Sequence, residues 1–211
     1  MTTALQAELE AMYALLGYNY ALTPRTLDFV ELVLSEHPST VVEIGVQRGC
    51  SLFTHALALR YLGTTATAVG IDAWQLAPTL EGADRGNLVR RRRDKPSNQA
   101  PVCFNALARL KLNPWAALFA GTSDQYASQF RPGTPAFIDI LHIDGNHAAA
   151  PVMRDTTNFL PLVKPGGHIW FDDDGWTEDG VDTVKPAITH ALLHCDFLFT
   201  RNGHALLRKH P

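Results

Sequence analysis

Val41-Val42-Glu43-Ile44-Gly45-Val46-Gln47-Arg48-Gly49-Cys50-Ser51 is an apolar run that ends in a carboxylate and then turns through glycines. The same design recurs along the chain. Val69-Gly70-Ile71 ends in Asp72, and Ile138-Asp139-Ile140-Leu141-His142-Ile143 ends in Asp144. Gly166-Gly167-His168-Ile169-Trp170-Phe171 runs into Asp172-Asp173-Asp174. Short apolar runs bounded by turn residues read as buried strands, and ligands of an open α/β sheet bind outside the carboxyl ends of its strands. The acidic ends therefore converge on one crevice. A crevice so rich in carboxylates must meet hydroxyls, ammonium groups or a metal.

Outward from that turn, apolar runs and helical spacing alternate. Strands are expected at Thr40–Ile44, Thr67–Ile71, Ala116–Ala120, Phe137–Ile143 and Gly167–Phe171. Helical segments are expected between them at Ser51–Leu62, Ala106–Leu110, Asp124–Phe130 and Ala148–Leu162. Such alternation predicts right-handed βαβ units and a parallel sheet. At the end, Asp196–Thr200 and His204–Arg208 flank Arg201-Asn202-Gly203, and Asn-Gly between apolar runs is a strong hairpin signal. The fold class predicted is α/β: a Rossmann-like, mostly parallel seven-stranded sheet with a C-terminal antiparallel β-hairpin and helices on both faces. Before the first strand, residues 1–37 read as two helices. The first has Leu5, Leu9, Met12, Leu15 and Leu16 at helical spacing; the second starts at Thr23-Pro24 and stops at His37-Pro38. Residues 74–101, with Pro78, Gly82, Gly86, Pro96 and the run Arg90–Arg93, break the alternation and read as an inserted lid or substrate loop. The whole of 1–211 reads as one domain.

Composition narrows the function classes. Eighteen Lys and Arg against 21 Asp and Glu give a formal charge of −3, which offers no global argument for nucleic acid or an anionic membrane. Cys50, Cys103 and Cys195 are odd in number and widely spaced, so neither a disulfide framework nor a metal spacing is visible. The start lacks the basic-then-apolar pattern of a signal peptide. The expectation is a cytoplasmic protein, and the apolar N-terminal helices suggest a homo-oligomer.

The turn at Glu43–Ser51 is neither the Gly-x-Gly-x-x-Gly dinucleotide fingerprint nor a P-loop. By itself it is equally a plain turn with glycines for packing. Asp72, one strand later, is placed to take both hydroxyls of a ribose. Together the two features favour a nucleoside ligand without a pyrophosphate.

On these residues the chain resembles the class I S-adenosylmethionine-dependent methyltransferases. The match includes the Leu160-Pro161-Leu162-Val163-Lys164-Pro165-Gly166-Gly167 lead-in to the fifth strand and extends from about Thr23 to the end. It is closer to the metal-dependent O-methyltransferases of the catechol and caffeoyl-CoA type. Closer still are the enzymes that methylate antibiotic sugars and their cephalosporin-hydroxylase-like relatives. The finer match rests on Gly121-Thr122-Ser123-Asp124, His142-Ile143-Asp144-Gly145-Asn146-His147 and Phe171-Asp172-Asp173. The resemblance implies that Glu43, Gly45, Gly49, Ser51, Asp72, Ser123, Asp124 and Asp144 bind the cofactor, with Ser123 and Asp124 at the adenine. It implies that Asp144, Asp172 and Asp173 hold Mg²⁺ or Mn²⁺, and that His147 is the base. Asp173 stands where the catechol type often has Asn.

The chemistry agrees independently. Three converging carboxylates repel unless neutralised, and oxygen donors suit a hard cation. Such a cation lowers the pKa of a bound hydroxyl, and a nearby histidine can take its proton. The expected activity is O-methylation of a small-molecule hydroxyl on a sugar, catechol or polyketide-like scaffold of secondary metabolism. The alternatives are a cephalosporin-hydroxylase-like relative that does not methylate and a non-catalytic nucleoside- or metal-binding protein. Other residues read as structural: Asp139, a packed and hydrogen-bonded His142, and Arg90–Arg93 as a solvated helix face. Trp74 reads equally as an adenine-stacking or a core residue, and Tyr18 and Tyr20 as part of a cofactor cover.

Overall fold

Two helices, α1 (Thr3–Leu15) and α2 (Pro24–Glu36), precede the first strand in a computed structural model of the chain. The structure describes residues 2–17 and 22–211, apart from the side chains of 93 and 94; Tyr18 and Tyr20 lie outside the described residues. Then follow β1 (Thr40–Ile44), α3 (Cys50–Tyr61) and β2 (Thr67–Asp72). The segment after β2 carries α4 (Leu76–Leu80), α5 (Arg85–Asp94) and α6 (Gln99–Arg109). Next come β3 (Ala116–Ala120), α7 (Ser123–Ala127), β4 (Ile138–Ile143), α8 (Ala149–Phe159) and β5 (Val163–Asp172). A two-stranded ribbon, β6 (Thr177–Glu178) and β7 (Val181–Asp182), leads to α9 (Lys185–Ala191) and the terminal hairpin of β8 (Cys195–Arg201) and β9 (His204–Lys209).

The main sheet has seven strands in the order β3-β2-β1-β4-β5-β9-β8. The first five are mutually parallel, while β9 runs antiparallel to both β5 and β8. This is the α/β sheet predicted, terminal hairpin included. No helix among the described residues is long and apolar enough to cross a membrane.

Three expectations about local structure are corrected. β5 starts at Val163, not Gly167, because a register shift between Ile138 and Ile140 accommodates the Pro-Gly segment within the pairing of β4 and β5. The helix expected from Ala106 starts at Gln99; Pro101 falls in its first turn, where no intrahelical N–H is required. The lid is largely helical, and Asp84 caps α5 by accepting a hydrogen bond from the Asn87 N–H at 2.8 Å.

Strand periodicity sorts the side chains. Val42, Ile44, Leu141, Ile143, Ile169 and Phe171 join one core layer. Their neighbours along each strand point the other way, and Val41, Ile140 and Trp170 pack in a second layer with helices α1, α2 and α3. Glu43, His142, Asp144 and Asp172 share the parity of that second face. Helix α3 is buried continuously from Leu52 to Leu59, since it is covered by the sheet on one side and by α1 and α2 on the other. The sheet's carboxyl rim thus receives its acidic residues under a roof of N-terminal helices.

The tightest backbone approach on that rim is at Gly45. Its φ is +91°, and a Cβ there would lie 2.1 Å from the carbonyl oxygen of Asp144. Gly63 has φ +67° with nothing near its missing Cβ. Gly63→Ala should therefore cost only the backbone penalty, about 1–2 kcal/mol. Gly45→Ala should cost clearly more in urea unfolding, the excess measuring the Asp144 clash.

Candidate functional site

The turn after β1 is held from below by Glu43. Its carboxylate is fully buried and accepts a 2.6 Å hydrogen bond from Ser51 Oγ on α3. Its other oxygen lies 3.4 Å from His142 Nδ1. Glu43 lines neither cavity described below; it supports Ser51, which does face a cavity. Gly49 caps α3 against the Phe53 ring and also lies outside both cavities, whereas Gly45 lines both.

Asp72 ends β2 and accepts from the backbone N–H of Gln47 at 2.9 Å and of Trp74 at 2.6 Å. Burial raises its pKa against these stabilising bonds. Trp74 is a core residue: its ring is buried against Phe104 and its indole N–H donates to Gln47 O. Ser123 donates to Asp155, a buried carboxyl on α8 that the sequence reading missed. Burial pushes Asp155 up to about 7, despite the serine bond that opposes the shift. Asp124 is half exposed and is engaged by Asn158 and Arg154. No local sequence pattern marks Asp155; only the packing of α7 on α8 brings it to Ser123.

At the rim of β4 and β5, His147 Nε2 lies 3.5 Å from Asp144 Oδ1 and 3.4 Å from Asp173 Oδ2. The imidazole is nearly buried, edge-on to Trp176 at 5.2 Å. Asp172 Oδ2 accepts a 2.7 Å bond from Arg25 Nη1, and Asp173 Oδ1 lies 3.5 Å from Arg25 Nη2. Burial, with Asp172, Glu43 and Asp173 beside it, pushes the Asp144 carboxyl well above the usual range. Asp173 differs: burial opposes its ionisation, but His147 and Arg25 outweigh that and hold it low. Asp173 has φ +47°, which takes it off the strand's alternation and toward these partners. Arg25 was not singled out in the sequence, because it meets the acidic rim only through the packing of α2.

Two cavities flank this rim. One, of about 620 Å³, is lined by Asp72, Ser123, Asp155, His147, Asp173 and Trp176 among others. The second, of about 450 Å³, lies under the N-terminal helices and is lined by Tyr13, Arg25, Cys50, Ser51, Asp172 and Asn202 among others. They share Gly45, Gln47 and Asp144.

Residues 74–101 border the larger cavity, which Gln75, Pro78, Arg90, Arg91 and Gln99 help to line. Asn146 donates to Pro78 O and Glu81 O and accepts from Arg91, which also pairs with Glu178 at 3.1 Å. Arg91 is therefore a buried latch, not part of a solvated face, while Arg90 stacks over Trp176 at 4.7 Å. Asp139 is structural as expected from its parity, accepting from the Ser39 and Thr40 N–H groups and from Lys164. His142 is packed as expected, but neither ring nitrogen has a hydrogen-bond partner.

Residues 42–173, the strand ends and both sides of this rim, match the methyltransferase domain family. The chain belongs to that family. No curated protein matches the sequence of this methyltransferase. Solved structures share its fold at low identity. An O-methyltransferase from Bacillus cereus in complex with S-adenosylhomocysteine is 15% identical, with a TM-score of 0.62 over 99% of this chain and 92% of that one. An O-methyltransferase from Streptomyces achromogenes involved in tomaymycin synthesis, in complex with S-adenosylmethionine, is 16% identical, with a TM-score of 0.63 over 100% and 92%. A Podospora anserina methyltransferase bound to S-adenosylhomocysteine is 13% identical, with a TM-score of 0.66 over 100% and 89%.

Two outcomes follow for this methyltransferase. A carboxyl whose native pKa lies above its unfolded value near 4 destabilises the fold as pH rises from that value through the native one. In metal-free buffer at neutral pH, Asp144→Asn should therefore raise Tm, by about 2–4 °C for each kcal/mol of relief. The gain should disappear below about pH 4. Arg91→Ala should break the buried pair with Glu178 at a local cost of about 3 kcal/mol. Amides of α4 and α5 should then exchange about 100-fold faster, with β1 unchanged.

Proposed function

We propose that this methyltransferase transfers a methyl group from S-adenosylmethionine to a hydroxyl of a small molecule, assisted by a divalent cation. The observation that carries the reading is the meeting of both cavities at Gly45 and Asp144, with His147 beside them. Gly45, with φ +91° and no Cβ, lets the turn pack against the Asp144 backbone and puts main-chain atoms on both cavities. Asp72 and Ser123 lie along the larger cavity, where they suit a ribose and an adenine; Ser51 and the start of α3 suit the amino-acid end. Asp124, being exposed and engaged elsewhere, suits a peripheral contact.

When bound, S-adenosylmethionine supplies a sulfonium methyl for transfer to the acceptor oxygen. A cation, when bound, supplies charge that lowers the pKa of that hydroxyl. The donor chemistry fits a cation: Asp172 Oδ1 is buried without a hydrogen-bond partner, and Asp144 faces Asp172 as a second acceptor. Asp144 and Asp172 would hold it, with Asp173 nearby although Arg25 and His147 already engage both its oxygens. His147 Nε2 takes the hydroxyl proton, and Asp144 and Asp173 stabilise the imidazolium that results. The lid excludes water through Arg91 and Asn146, and Arg90 with Trp176 borders the acceptor. An acceptor with a sugar, catechol or polyketide-like scaffold, of the kind made in secondary metabolism, suits a cavity of this size.

Calorimetric titration with S-adenosylhomocysteine tests the cofactor. Micromolar binding supports the reading, and no binding by folded protein overturns it. With labelled S-adenosylmethionine and a panel of catechols and glycosides, His147→Ala should lower kcat by about 10²–10⁴-fold. Its affinity for S-adenosylhomocysteine should stay that of the unsubstituted protein.

A further inference from the structure

The metal reading leaves open which side chains complete the ligand set. Resting on that reading, we infer that His142 is the third ligand, with Asp144 and Asp172, and that the site selects a first-row transition metal over Mg²⁺. Among the described residues, donor atoms of His142, Asp144 and Asp172 lie within 4.8 Å of one another, and Asp173 does not join them. Asp173 is spent elsewhere, one oxygen toward Arg25 and the other toward His147.

Two members of the trio have polar atoms without partners. Asp172 divides its work: Oδ2 accepts from Arg25, while Oδ1 is buried with no partner. His142 is fully buried, and neither of its ring nitrogens makes a hydrogen bond. Buried polar atoms left in this way are costly, and a cation among them would satisfy both residues at once. Strand periodicity places the three together. His142 lies two residues before Asp144 on β4, and Trp170, its partner in register, lies two residues before Asp172 on β5.

Behind the ring stands a buried carboxylate, close to one ring nitrogen but not hydrogen-bonded to it, where a ligating histidine would find its support. Glu43 Oε2 is 3.4 Å from His142 Nδ1, and Ser51 fixes the other oxygen of that glutamate. The cofactor turn and the metal ligand would thus share one buried carboxylate. An imidazole with two carboxylates favours Mn²⁺, Fe²⁺, Co²⁺ or Zn²⁺, whereas all-oxygen sets suit Mg²⁺. A second group, Glu43, His55 and His142, is also within reach of one ion, but none of its residues lines a cavity; in the proposed trio His142 lines none either, while Asp144 and Asp172 do.

Mn²⁺ added to metal-stripped protein serves as the probe. Pulsed electron paramagnetic resonance should show coupling to one directly bound ¹⁴N. Coupling should persist in Asp173→Asn and His55→Ala and vanish in His142→Ala, with Mn²⁺ affinity falling at least about 10-fold. Calorimetry should show Co²⁺ or Zn²⁺ displacing Mg²⁺. Should His142→Ala fail to fold, the spectrum of the unsubstituted protein and of Asp173→Asn still decides. Mn²⁺ bound without nitrogen coupling would overturn the inference and leave an all-oxygen metal site standing. Coupling lost in His55→Ala would overturn it in favour of the second group. No binding of any of these metals would overturn both this inference and the metal dependence beneath it, while leaving binding of S-adenosylhomocysteine as a separate result.

Discussion

Negative charge confined to the carboxyl rim of the sheet is the constraint on which the rest of this structure depends. Asp144, Asp172 and Asp173 stand at the ends of two neighbouring strands, with Glu43 buried a short way below. Carboxylates at such separation do not all ionise without countercharge. The protein supplies part of it from elsewhere in the chain: Arg25 bridges Asp172 and Asp173, and His147 sits between Asp144 and Asp173. Asp144 receives least, and its affinity for a proton is correspondingly high. A carboxyl held in this way costs stability, a common property of sites that bind cations or move protons.

The same rim organises the polar contacts around it. Asn146, two residues from Asp144, uses its amide to hold the lid, so the loop that carries the acidic site also fixes its cover. Glu178 on the β6–β7 ribbon receives Arg91, the Asn87 amide, the Asp84 N–H and the Trp176 indole N–H. Trp176 in turn sets the edge of the His147 ring and the face under Arg90. Helices after β2 and a ribbon after β5 are thereby tied into one polar network over the larger cavity.

Much of this was legible in the sequence, for identifiable reasons. The strands of the sheet and the Asn202-Gly203 hairpin follow from apolar runs and turn chemistry, which are local. The acidic strand ends were visible because a carboxylate that closes a mostly apolar run is conspicuous. What was hidden depends on contacts distant in sequence. Arg25, Asp155 and Asn146 look like ordinary surface residues until α2, α7 and the lid are packed in place. Arg91 looked solvated because its neighbours are arginines, yet one position of a helical run faces inward toward Glu178. The early start of α6 was obscured by Pro101, a breaker in the middle of a helix and harmless in its first turn.

Arg25 carries a consequence for how the protein is made. It meets Asp172 and Asp173 across 147 and 148 residues, and its Nε also donates to the Asn202 carbonyl. Asp28, one turn along α2, receives Arg201 and Asn202 from the hairpin. During synthesis at about 5–20 residues per second, this helix must wait roughly 7–35 s for its partners to be made. The charge pattern of the site is consequently among the last features of the molecule to mature. A nascent chain can already have its central strands and still be blind to its ligands.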